Sequence, residues 1–168
     1  MAEELTRAVV NGILGGGVYA LMAVGLTLIF GVLDIINIAQ GVMVVLGAYL
    51  SYALSVHLHI DLFVGLLITV PAMFVIGVAI QWAFIRPLRG SERTSMSLLA
   101  SYAVAIVIEG LLYLAFGAND VTLTASYVND SVHMLGFYVP VIELAGFGLA
   151  VILVALLYLL LYQTRFGK

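Results

Sequence analysis

Polar residues are so sparse along this chain that its organisation is read from where they interrupt long apolar runs. Ala8 to Phe30, Ile35 to Val56, Leu62 to Ile85 and Leu144 to Thr164 contain no Asp, Glu, Lys or Arg, and Thr94 to Ala118 contains only Glu109. A hydrocarbon core of about 30 Å takes roughly 20 apolar residues as helix, so each of these runs is a candidate span. Barrel strands would be shorter and would alternate apolar with polar positions. The pattern therefore predicts an all-α, polytopic helical membrane protein of about five transmembrane helices.

The interruption between the first two runs differs from the others. In GVLDIINIAQG, the residues Gly31, Asp34, Asn37, Gln40 and Gly41 break an otherwise apolar sequence, which predicts a broken or re-entrant segment. A polar break at membrane depth is tolerated where its freed backbone groups are buried in protein or line a wet cavity. The competing reading is a short interfacial turn with Asp34 and Asn37 solvated. Upstream, Gly12 and Gly16 have the small-xxx-small spacing that lets helices approach closely. Pro71 lies within the third run and is assigned no chemistry. The segment VTLTASYVNDSVHMLGFYVPV alternates partly and carries an Asn-Asp turn signal, which predicts a small external hairpin.

Composition sharpens the class. Hydrophobic residues make up 64% of the 168 positions and charged ones 9%, against about 25% charged in an ordinary soluble domain. The charges also set an orientation, because Lys and Arg resist translocation. Arg86, Arg89 and Arg93 follow the third run, and Arg165 and Lys168 follow the fifth, so both loops are expected in the cytoplasm. His57 to Asp61 and Gly117 to Glu143 contain no Lys or Arg and are expected outside. Counting back through three crossings puts the N-terminus outside, and a re-entrant second segment would reverse it. Glu3 and Glu4 beside Arg7, with no small-residue cleavage pattern, argue that the first run is retained rather than removed as a signal.

Little in the chain suggests covalent chemistry. There is no cysteine, and no phosphate loop, nucleophile elbow or HExxH motif, so the chain is not expected to be an enzyme. His57 and His59 lack nearby third and fourth ligands, and no metal site is expected. A net charge of -3 gives no nucleic-acid footprint. Glu109 is the exception within a span, because an ionisable group there is costly enough to imply a bundle-facing position with a polar partner or water. It is a candidate for an ion-coupled carrier or channel that takes up and releases a proton, and a neutral structural carboxyl is the competing explanation.

The run GGGVYALMAVGLTLIFGVLDIINIAQGVMVVLGAYLSY, from Gly15 to Tyr52, with its NIAQG core followed by GAY, resembles the LivH-like permease subunits of branched-chain amino acid ABC importers. The likeness extends through RPLRG at Arg86 to Gly90, the fourth span around Glu109, and TRFGK at Thr164 to Lys168. Gln40 stands where such permeases often have histidine, and Val42 where a small or acidic residue is common, differences that bear on the solute.

The resemblance implies a membrane-spanning subunit of the bacterial inner membrane that forms the path for branched-chain or other hydrophobic amino acids, an amide or urea being the further options. Its partners would be a second, homologous permease subunit, ATP-binding subunits that hydrolyse ATP, and a periplasmic solute-binding protein, with no cofactor in this chain. Asn37, Gln40, Gly41 and Glu109 are the expected pathway residues, and Gly12 and Gly16 the helix-packing ones. In the family a cytoplasmic loop that grips the ATP-binding subunit follows a TRFGK-like stretch. Residues 1–168 are therefore read as a partial transmembrane permease domain, truncated before that loop. The ion-coupled carrier and a non-transporting scaffold are the other function classes.

The charge pattern generates a topological prediction. A single cysteine at Ser91 in this cysteine-free chain should be labelled by an impermeant reagent only after the cytoplasmic face is opened. Labelling from the periplasm of intact cells would refute the assigned orientation.

Overall fold

The computed structural model describes residues 2–88, 93–118, 131–134 and 137–163. Among these residues five long helices carry the fold: α1 (Ala2–Leu33), α2 (Gln40–Leu58), α3 (Leu62–Ile80), α4 (Arg93–Phe116) and α5 (Val141–Gln163). The first four are long and apolar enough to cross a membrane, and α5 carries a shorter apolar stretch, Glu143–Leu159. Two strands, β1 (Ser131–Met134) and β2 (Phe137–Pro140), precede α5.

The expected runs and the observed helices agree in number and differ at their ends. The second helix begins at Gln40 rather than Ile35, which leaves Asp34 to Ala39 outside both neighbouring helices. Gly31 and Gly41 flank this break from within α1 and α2, so the glycines do not form it. Asp34 does, at φ 52°, with its N–H donating to Phe30 O at 2.9 Å. Aspartate is one of the few non-glycine residues that tolerate the left-handed conformation.

Other helix ends follow local chemistry. His59, at φ 54°, closes α2. The Asp61 side chain caps α3, accepting from Phe63 N at 3.0 Å. At the far end of α4, Gly117 at φ 75° donates its N–H to Tyr113 O at 2.8 Å, a left-handed stop that glycine adopts without a Cβ penalty. At its other end, α3 does not simply stop. It widens into a π-turn over Gln81–Ile85, where Arg86 N–H donates to Gln81 O at 2.8 Å.

The helices fall into two units. In the unit of residues 28–123, α2 packs against both α3 and α4. Ala39, Val104, Ala105 and Ile108 form its buried centre, with Val42, Met43, Leu46, Ile80 and Leu112 against them. Ser51 Oγ and Thr69 Oγ1 are hydrogen-bonded at 3.1 Å between α2 and α3. Tyr49 and Tyr52 of α2 set their rings against Phe116 of α4, with centroids 4.5 and 6.3 Å away.

The second unit, residues 1–27 with 124–168, contains the first part of α1, the hairpin and α5. The strands pair antiparallel, Ser131 opposite Pro140 and Met134 opposite Phe137. The hairpin is thus present between Ser131 and Pro140, and the Asn129–Asp130 signal lies outside the described residues.

Close helix approach in this unit falls on a different glycine from the expected ones. A Cβ added at Gly12 or Gly16 would meet open space, whereas one at Gly17 would lie 2.5 Å from Phe147 Cδ2 on α5. The GGG run therefore does bring a small residue against another helix, one position later than the spacing from Gly12 suggests. Gly17→Val should lower stability by about 1–3 kcal/mol through overpacking, while Gly12→Ala stays near neutral. Thermal unfolding would check this, and Phe147→Ala should recover part of the Gly17→Val loss.

Candidate functional site

The break between α1 and α2 leaves peptide groups without helical partners, and side chains on α4 supply them. Ile36 N donates to Ser97 Oγ at 3.3 Å and Ile38 N to Ser101 Oγ at 3.1 Å. Ser101 Oγ is also 3.2 Å from Ile36 O, as donor, and Thr94 Oγ1 donates to Asp34 O at 3.2 Å. Ser97 and Ser101 are 0% and 2% exposed, so their hydroxyls make these contacts away from solvent, while the Thr94 contact is exposed. Thr94, Ser97 and Ser101 follow the three- and four-residue spacing of one helix face, which continues in Val104, Ala105 and Ile108. That face clasps the break with hydroxyls at one end and packs apolar surface at the other.

Within the break, Asn37 Oδ1 accepts from Ala39 N at 3.1 Å. This is the local turn that asparagine makes with the backbone two residues on, and it leads the chain into α2. Ile35 and Ala39 are buried at 2% exposure, while Asp34 is exposed. The break is therefore anchored in protein at Ile35 and Ala39.

Beside it lies a cavity of about 350 Å³. Asn37, Ala39 and Gln40 line it from the break and the start of α2, Gln81 and Ile85 from the π-turn, and Ser101 from α4. Ile29, Ile35, Met43, Gly77 and Ile80 complete a mainly apolar wall. Among the described residues, the polar lining consists of amides and one hydroxyl, and none of the lining residues is charged. Single π-turns within helices occur frequently at functional sites, and this one brings Gln81 to the same space as Asn37 and Gln40.

Of the pathway residues expected from sequence, Asn37 and Gln40 line the cavity. Gly41 and Glu109 do not, and both are exposed. Glu109 follows Ile108, the last buried position of the α4 stripe, and a step of one residue turns it off that face. Gln81 and the α4 hydroxyls were not singled out from sequence, although Thr94, Ser97 and Ser101 at helical spacing in a span are a legible signal.

A family model described as the branched-chain amino acid transport system permease component matches residues 8–168. The chain belongs to this family. It is similar to the high-affinity branched-chain amino acid transport system permease protein LivH of Salmonella typhimurium, 30% identical over 128 residues, covering 70% of this chain and 40% of that protein. It is also similar to the permease protein BraD of Pseudomonas aeruginosa, 24% identical over 174 residues, with 96% and 56% covered. The probable branched-chain amino acid transport permease protein LivH of Methanocaldococcus jannaschii is 26% identical over 166 residues, with 94% and 51% covered. The chain spans about half the length of these relatives. No solved structure matches it.

Membership of a permease family and, among the described residues, four helices long and apolar enough to cross a bilayer mark this chain as a multi-pass membrane protein. In that setting, the α4 hydroxyls matter more than they would in water. Ser97→Ala would leave Ile36 N–H without its partner, and an unmade buried hydrogen bond costs about 1–3 kcal/mol. Unfolding in detergent should register a loss of that size, and an unchanged midpoint would contradict the clasp.

Proposed function

We propose that this chain forms part of the solute path of an ABC importer for branched-chain or other hydrophobic amino acids in the bacterial inner membrane. The observation that carries the proposal is the cavity at the α1–α2 break, in a chain of this permease family. Its size falls in the range of small-molecule sites, roughly 300–1,000 Å³. Its wall suits the solute class, because isoleucine and methionine side chains can receive a branched apolar body while Asn37, Gln40 and Gln81 can hydrogen-bond a polar head group.

The work of transport would be alternating access, with the cavity opening to one side of the membrane at a time and nothing covalent happening to the solute. ATP would be hydrolysed by separate ATP-binding subunits. A homologous second permease subunit would complete the path, and a periplasmic solute-binding protein would deliver the solute. The relatives are transport permeases, which supports a non-enzymatic role for this chain. The location of Glu109 away from the cavity favours this reading over a proton-coupled carrier built on that residue.

Asn37 supplies the test. Asn37→Leu removes the Oδ1 contact to Ala39 N and an amide from the cavity wall. In the full-length permease assembled with its partners, it should leave membrane insertion intact and lower leucine uptake by about tenfold, the effect of losing one or two hydrogen bonds. Glu109→Gln should retain most uptake. Unimpaired uptake in Asn37→Leu would sink the pathway assignment, and abolished uptake in Glu109→Gln would favour the ion-coupled carrier.

A further inference from the structure

The two buried serines of α4 do the same job for the break, yet only one of them borders the cavity. A serine hydroxyl has one proton to donate and two lone pairs. On Ser101, Ile38 N–H takes one lone pair at 3.1 Å. Its single proton is shared between two carbonyls, Ile36 O at 3.2 Å and Leu98 O at 3.1 Å. One lone pair is left over. Ser101 is 2% exposed, so the open space it meets is the cavity that it lines.

Ser97 has the same inventory in a different place. It accepts from Ile36 N at 3.3 Å and donates to Thr94 O at 2.7 Å. It is fully buried and does not line the cavity. The pair therefore separates support of the backbone from contact with a bound molecule.

We infer that the Ser101 hydroxyl is a solute-contacting acceptor, taking an N–H from the ammonium or amide head group of a solute whose apolar body lies against Ile29, Ile35 and Ile80. The inference rests on the reading of the cavity as the solute path. A neutral acceptor fits the rest of the wall, which among the described residues offers amides and no charged side chain. The hydroxyl is also well fixed, because Ile38 N–H and the two carbonyls hold it in place before any solute arrives.

The experiment is radiolabelled leucine uptake per ATP hydrolysed, measured on the full-length permease assembled with its partners in proteoliposomes. Ser101→Ala should lower this ratio by about tenfold, while Ser97→Ala should lower thermal stability to a similar extent yet keep the ratio within about twofold of the unaltered complex. Ser101→Thr, which retains the hydroxyl, should restore most of the ratio. Ser101→Cys, with only a weak sulfur acceptor, should reproduce the loss should the alanine variant fail to assemble. Equal ratios in Ser101→Ala and Ser97→Ala, or no rescue by Ser101→Thr in a complex of normal yield, would overturn the assignment. No leucine uptake by the unaltered complex would instead overturn the reading of the cavity.

Discussion

Every peptide group placed in hydrocarbon must find a partner within the protein, because an unmade hydrogen bond there costs several kcal/mol. A continuous helix meets that requirement by itself. The segment from Asp34 to Ala39 does not, and the architecture of residues 28–123 can be understood as the solution. Asp34 turns the chain out of α1 by a left-handed step, Asn37 turns it into α2, and Thr94, Ser97 and Ser101 supply hydroxyls to the backbone between. Serine and threonine suit this task, since one small group can both donate and accept and allows the helix to come close to a neighbouring backbone.

The clasp also shapes the cavity. A straight helix in place of the break would run past α3 and α4 as another apolar cylinder. With the chain held away from helical geometry, Asn37 and Gln40 reach a space also bounded by the π-turn of Gln81–Ile85. Two departures from the α-helix thus meet at one cavity, and each brings an amide side chain to it. The apolar half of the α4 stripe, Val104, Ala105 and Ile108, packs beneath the same region and ties it to α2 through Ala39.

Much of this was legible in the chain's polar punctuation. Runs with at most one charge located the five long helices of the described residues, and Asp34, Asn37 and Gln40 marked the break. Helix ends were harder to place, because Ile35 to Ala39 is apolar enough to pass for the start of a helix. Whether its amides pair with the preceding turn or with another helix depends on residues some sixty positions away, as in the Ile36–Ser97 and Ile38–Ser101 contacts. Gly17 has a similar history: the glycine run announced a close approach, but Phe147 decides which glycine receives it.

By itself, the sequence determined that this is a helical membrane protein, because run length and the scarcity of charge are local quantities that the bilayer reads one segment at a time. The same local logic made an interruption between the first two spans recognisable. Only tertiary structure decided how that interruption is held. Hydrogen bonds across Thr94, Ser97 and Ser101, the placement of Gln81 by a π-turn, and the exposure of Glu109 all depend on how helices rotate against one another. In a chain apolar on nearly every face, that rotation is set by packing and by the need to pair a few backbone groups, neither of which hydrophobic periodicity records.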